Sequence, residues 1–253
     1  MTAAIMQPTY LPWAGYFNLI ARSQRFVLLN DVQFAKPSWQ MRNRILLQGR
    51  VKFITVPTLG SRNQPICEVR LAAEDWRSKH RKLLEHAYAK HPHGAAALDV
   101  VLPIIADRSI DKLQDLNARL IAALCEALGI EATLLWSSQL APEGQRSARL
   151  LGILRQLGEL DYLSPSGAAE YIAEDALLKD AGVRVSYQHF EPHPYPQRGA
   201  QQFEARLSII DVIASVGLLG ARSYLMQAPA PSTPAEPEAH PNRPETPGPA
   251  LRA

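Results

Sequence analysis

Two stretches hold the residue types from which a binding site is built. "QPTYLPWAG" (7–15) carries Gln7, Tyr10 and Trp13, and "NDVQFAKPSWQMRNR" (30–44) carries Asp31, Gln33, Lys36, Trp39, Arg42, Asn43 and Arg44. Aromatic rings make flat walls for a ligand, and side-chain amides read a pattern of donors and acceptors. Lysine and arginine hold phosphate or carboxylate, arginine with two parallel N–H groups. That mixture suits a small, anionic substrate such as a nucleotide or sugar nucleotide. The plainer reading of each residue alone is that Trp13 and Trp39 belong to core or rim and that the charges are solvated.

A third stretch, "YQHFEPHPYPQRGAQQFEARLSIIDVI" (187–213), crowds His189, Glu191, His193, Tyr195, Gln197 and Arg198 into a proline-rich loop leading to Ser208 and Asp211. Histidine titrates near neutrality without special burial, so His189 joins Asp31 as a candidate general base. His189, Glu191 and His193 are also metal-ligand types. Their spacing offers no further ligand, so no metal is assigned, and no cofactor is indicated. The structural alternative leaves them as ordinary loop residues. His80, His86, His91 and His93 fall at helical or loop spacing in a basic segment and read as surface residues. "LSPSGAAEYI" (163–172) places Ser164, Ser166 and Gly167 after a strand. Backbone N–H groups there take an anion or simply cap a helix, and the lysine of a Walker loop is missing.

Placing these loops requires strands and helices around them. Residues 3–7 read as a short buried strand, 14–22 as a helix and "RFVLLND" as a second strand, a strand–loop–helix–strand unit that opens an α/β fold. In a parallel sheet, ligands gather where strands end, and strands joined through one helix lie close. The loops after the first and second strands are therefore expected to be neighbours. "NRILLQGRVKFITVP" predicts a hairpin turning at Gln48-Gly49, and "ICEVRLA" predicts another strand. Helices are predicted in "DWRSKHRKLLEHAYAKH", in "SIDKLQDLNARLIAALCEALG" with Ser109 as its cap and Gly129 as its stop, and in "LSIIDVIASVG" ending at Gly217. Between the last two, "IEATLLWSS", "LDYLS" and "VRVSYQHF" alternate as strands with "QRSARLLGILRQLG" and "EDALLKDAG" as helices. The predicted class is α/β, a parallel or mixed sheet flanked by helices.

The chain has 253 residues, 47% hydrophobic and 20% charged, enough for a sizeable core. With 27 Lys and Arg against 24 Asp and Glu it lacks the basic excess of a nucleic-acid binder. Cys67 and Cys125 have no CxxC partner, and Cys125 sits in an apolar helical run, a core position. No apolar run reaches the roughly 18 residues of a membrane span, which predicts no membrane insertion. The N-terminus lacks a basic and apolar leader, so the expected compartment is cytoplasmic. Eight of the 20 prolines lie between Pro229 and Pro249. Proline removes backbone donors and nothing apolar repeats there, so residues 227–253 are expected as a disordered tail beyond a domain of 1–226.

The motifs "QPTYLPWAGYF", "DVQFAKPSWQMRNRI", "WRSKH", "DLN", "YLSPSGAAEYI" and "YQHF…YPQ…F…LSIIDVIASVG" resemble, in this order, the WbqC-like protein family over nearly the whole chain up to about Leu225. The resemblance implies a role in bacterial surface polysaccharide (O-antigen) or glycoconjugate biosynthesis. It carries over Gln7, Pro8, Tyr10, Leu11, Pro12, Trp13, Gly15 and Tyr16 from the first loop, Asp31, Gln33, Lys36, Trp39, Arg42, Asn43 and Arg44 from the second, and Tyr195, Gln197, Ser208 and Asp211 from the third stretch. Two positions depart from the family pattern: Met41 stands where Asn is usual, and Pro165 interrupts the serine–glycine turn. The N-terminal unit is also loosely similar to nucleotidylyltransferases of the HxGH type. Trp13-Ala14-Gly15-Tyr16 keeps the glycine but neither histidine, so their catalysis is not carried over. The expectation is a transferase on a sugar nucleotide or related activated metabolite, moving an acyl, aminoacyl or glycosyl group. In it Lys36, Arg42 and Arg44 grip the anion, Tyr10, Trp13 and Trp39 wall the pocket, and Asp31 or His189 is the base. The rival expectation is a non-catalytic accessory binding protein of such a pathway.

Overall fold

The computed structural model describes residues 1–60, 64–168, 172 and 176–227. The proline-rich segment from Ala228 onward, expected as a tail, lies outside the described residues, as does part of the serine–glycine stretch. The elements run β1 (Thr2–Met6), α1 (Ala14–Ala21), β2 (Arg25–Leu28), β3 (Arg42–Leu47), β4 (Arg50–Thr55), α2 (Trp76–Tyr88), α3 (Gly94–Ala106), α4 (Leu113–Ala127), β5 (Thr133–Trp136), α5 (Ser137–Leu140), α6 (Arg146–Leu157), β6 (Asp161–Pro165), α7 (Leu177–Asp180), β7 (Arg184–Gln188) and α8 (Ile209–Met226).

Five strands form a parallel sheet in the order β5-β2-β1-β6-β7, and β3 and β4 form a separate antiparallel hairpin. Alternate residues of each strand point to opposite faces. Ala4, Phe26, Leu28 and Leu163 join the core built with α1, α2, α3, α4 and α8. Ala3, Ile5, Val27 and Tyr162 join the core built with α6 and α7. Burial on both faces is why the strands read as continuous apolar runs. The chain winds from β1 through β2 to β5 and then returns to β6 and β7. That reversal sets a switch point between β1 and β6, at whose carboxyl ends open α/β sheets take ligands.

Several local expectations change. "ICEVRLA" forms a 3₁₀ turn at Ile66–Glu68 and single bridges rather than a strand. Its backbone is taken by loop partners: Cys67 N–H donates to Asn30 O and Ile66 N–H to Val32 O. Ser109 does not cap α4. Its N–H and hydroxyl both donate to Asp107 Oδ1, and the helix starts after Lys112. The sequence reading missed α3, which tolerates Pro103 inside it. At Gly217 the backbone leaves helical geometry (φ 75°, ψ 174°), but α8 resumes and runs to Met226. The whole of α8, 18 residues of mean hydropathy 1.5, has the length and composition to cross a membrane; it is 61% buried in this fold, as a core helix is. The hairpin turns at Gln48-Gly49, both at positive φ, as a tight two-residue turn requires.

The long excursion between β2 and β5 brings the hairpin over the loop that follows β1. Tyr10 N–H donates to Trp39 O (3.0 Å), and Asn43 Nδ2 donates to Tyr10 O (3.0 Å). Asn117, fully buried on α4, forks between the two loops, its amide donating to Pro8 O (3.2 Å) and Gln40 O (2.8 Å). A buried carbonyl without a donor is costly. Asn117→Ala removes both donors, and urea unfolding of the variant should show a loss of about 2–4 kcal/mol; a loss within error of zero would contradict the staple.

Candidate functional site

The predicted loops meet at the carboxyl edge of the sheet. Gln7 follows β1, and its Oε1 accepts from Gln40 Nε2 of the second loop (2.9 Å). Asp31 lies just beyond β2. Its Oδ1 accepts from the Ser137 hydroxyl at the end of β5 (2.6 Å), and its Oδ2 is paired with Arg149 of α6. Asn30 completes the knot through Gln114, Ser137 and Ser138. His189 follows β7 on the same edge, exposed, on the other side of the switch point from Asp31. Neither Ser137 nor Arg149 was expected from sequence. Arg149 sits in a run, "RSARLLGILRQ", that reads only as an amphipathic helix.

Beside this edge the hairpin and the two loops carry a strip of cations and rings. The Arg42 guanidinium lies 4.5 Å from the centre of the Phe53 ring, and Trp39 stands against the same ring at 6.1 Å. Trp39 and Phe53 are exposed by 50% and 46%. Arg44, paired across the hairpin with Phe53, donates to the carbonyls of Ala205 and Arg206. Arg206 in turn lies over the Trp13 ring at 5.8 Å. Trp13 covers Gly15: a methyl group at Gly15 would fall 2.3 Å from the indole, so this glycine makes room for the ring. Lys36 Nζ reaches Thr58 O (3.4 Å), and Gln33 bridges Pro65 at the exposed end of the second loop. Phe53 and Arg206 were missed in the sequence. In β4 Phe53 is exposed while Ile54 beside it is buried.

Other expected site residues face inward. Tyr10 is fully buried; its hydroxyl meets His80 Nδ1 (2.9 Å), and His80 Nε2 meets Thr55 O (3.1 Å). The Thr55 carbonyl needs a donor, which assigns the proton to Nε2 and leaves Nδ1 to accept from Tyr10. Tyr16 donates to Gln7 O, and Asn43 Oδ1 accepts from Arg44 N–H. Ser208 caps α8, its hydroxyl accepting from Ile210 N–H, while its own N–H donates to Arg44 O. Asp211 is fully buried one turn on, with Tyr195 donating to Oδ1 (2.9 Å). Gln197 is clasped to the backbone of Glu204 by both ends of its amide. Met41 is buried in the main core, so this departure from the family pattern fills the interior.

His80 and His91 are buried, where the sequence reading had them on the surface. Trp76, His80, Leu84 and Tyr88 recur every fourth residue along the buried face of α2, a spacing that carried the signal for His80. His193 stacks on Tyr224 at 4.1 Å, and no group of three or more His, Cys, Asp and Glu among the described residues is placed to hold a metal ion. Burial shapes the titrations. It lowers His80 to about 4, against a smaller opposing pull from its bond to Thr55. It raises Asp211 to about 6, opposed by Tyr195, Tyr88 and Gln197. Burial also pushes the Cys125 thiol up to about 12, the behaviour of an inert core residue.

Comparison with known proteins covers almost all of this architecture. The profile of the WbqC-like protein family matches residues 7–222. Among curated proteins, the "Uncharacterized protein Rv1507c" of Mycobacterium tuberculosis (strain ATCC 25618 / H37Rv) is 33% identical over 218 residues, 85% of this chain and 93% of that protein. No solved structure matches the chain.

The two shifted groups make opposite demands on pH. The unfolded chain binds a proton at His80 near pH 6.5, whereas the folded chain waits until about 4, so acidification across that window destabilises the fold. Asp211 holds its proton in the folded chain up to about pH 6 but releases it near 3.8 when unfolded, so it loses its contribution as pH rises across that interval. His80→Gln keeps a donor and an acceptor without the titration. Relative to this variant, the parent should lose stability as pH falls from 6.5 to 4, approaching about 1.4 kcal/mol per pH unit. Asp211→Asn should show the reverse trend, and curves parallel to the parent in both variants would refute the assignment.

Proposed function

This chain belongs to the WbqC-like protein family, and on that footing we propose that it is a cytoplasmic transferase acting on a sugar nucleotide or related activated metabolite in surface polysaccharide (O-antigen) or glycoconjugate biosynthesis. One observation carries the reading: the strip of Arg42, Arg44 and Arg206 interleaved with Trp13, Phe53 and Trp39 beside the carboxyl edge. Guanidiniums grip the oxygens of a diphosphate in pairs, and the exposed rings take a base or sugar face. When a group leaves a nucleoside diphosphate, negative charge builds on the departing phosphate, and fixed cations lower the barrier by meeting it there. Asp31 or His189 is the base of this scheme, and Asp31 also orients Arg149 and Ser137. The acceptor hydroxyl or amine enters from the switch-point side.

The accessory reading, in which the chain holds a sugar nucleotide without reacting it, draws support from Asp31, both of whose oxygens are already engaged. A panel of UDP-, GDP-, CMP- and dTDP-sugars in a thermal-shift assay tests both. A ligand that binds only the native state raises Tm. One nucleotide class should raise it, and the Arg42→Ala, Arg44→Ala double variant should lose that rise while keeping its far-UV spectrum. No shift from any member, or an undiminished shift in the variant, removes the role given to the strip. Slow release of free nucleotide from the bound donor, with an acceptor present, separates transferase from accessory protein.

A further inference from the structure

Two adjoining hollows of about 250 and 630 Å³ lie between the turn end of the hairpin (Leu46, Gln48), the end of α2, the loop around Arg198 and the middle of α8. They share Lys90, His91 and Arg198 in their walls, and Ser215 closes the larger one. His91 is 8% exposed, yet neither ring nitrogen has a hydrogen-bond partner, and Ser215, 9% exposed, has an unpartnered hydroxyl. Buried polar groups in folded proteins are nearly always hydrogen-bonded. Two such orphans in the wall of one cavity therefore mark the polar partners of something that enters it. The charge of the wall says what kind. Lys90 and Arg198 are cationic, His86 adds an imidazole, and among the described residues no carboxylate lines either hollow.

We propose that this cavity is a binding site for the phosphate group of a small metabolite, separate from the edge site and independent of the reading given to it. Four donor groups on three segments surround the space: Lys90 and His91 beyond α2, Arg198 in the loop, and Ser215 on α8. Donors converging from several directions suit the tetrahedral oxygens of phosphate better than the flat pair of a carboxylate. The framework is already set. Arg198 is anchored by its own bond to Lys90 O, and Gln197 is clasped to Glu204, so the loop is preorganised. The break in α8 at Gly217 is packed by His93, whose N–H takes the Ala214 carbonyl and fixes the turn that carries Ser215. Burial and the nearby Arg198 hold the His91 imidazole below its ordinary range. It therefore waits neutral, and an anion beside it raises its proton affinity until both nitrogens donate.

Titrating the full chain with inorganic phosphate and with pyrophosphate, followed by ³¹P NMR and by the His91 ring resonance, tests the site. The expected result is saturable binding that moves the His91 titration upward. Lys90→Ala and Arg198→Ala should each weaken it at least about tenfold. Both side chains are exposed, so these variants report on the site rather than on folding. The Arg42→Ala, Arg44→Ala double variant should bind phosphate as the parent does. The proposal is overturned by an absence of saturable binding, by binding that survives both Lys90→Ala and Arg198→Ala, or by acetate competing as well as phosphate. Loss of binding in the Arg42/Arg44 variant alone would move the anion to the edge strip and overturn it too.

Discussion

Irregular backbone buried against the end of a sheet must find donors for its carbonyls, because water does not reach them. Here side-chain amides supply those donors. Asn117 serves Pro8 and Gln40, Asn43 serves Tyr10, and Gln188 serves Gly15 while also bonding Asn18, which serves Leu225. Each amide joins segments far apart in the chain. With these bonds the loop after β1, the second loop, α1 and α8 become one rigid block. The geometry of the strip depends on that block: Arg44 and Trp13 are held near one another because their own backbones, through Ser208 and Ile209, are tied to the start of α8.

The same block explains a division of labour among residues of similar type. Tyrosine and histidine inside it, Tyr10 with His80 and Tyr195 with Asp211, are shielded and titrate far from their ordinary values or beyond the usual range. Arginine and tryptophan stay at its rim, with guanidiniums laid over rings. Desolvating an isolated charge is costly, while a cation over an aromatic face keeps part of its solvent and gains the attraction of the ring. Hence the interior of the site region is built from neutral hydrogen-bonding groups and its open face from cations. At the opposite, amino edge of the sheet, Glu159 pairs with Arg25 and with the chain amine.

Much of this was legible. The strand–loop–helix–strand opening, the hairpin with its Gln48-Gly49 turn and the alternation of later strands and helices are local patterns, and each formed within three residues of its expected bounds. The neighbourhood of the first two loops followed from the rule that strands joined by one helix pair. What failed locally failed for a reason outside the segment. "ICEVRLA" has strand composition, but its N–H groups are claimed by the loop at Asn30 and Val32. Ser109 has capping chemistry, but Asp107 offers it a nearer acceptor.

The amino-acid sequence alone determined the element types, the apolar faces and the identity of the polar residues in each loop, because those depend on periodicity, turn chemistry and composition within a short window. Only the tertiary structure decided which of those polar residues face a ligand and which face the protein. Tyr10 and Arg42 look equally suited to a pocket wall in the linear chain. His80 sits some 70 residues from Tyr10 and turns it inward, while Phe53, facing outward on β4, draws Arg42 to the surface. Burial is a property of long-range packing, and no local pattern encodes the partner that will arrive from a distant segment.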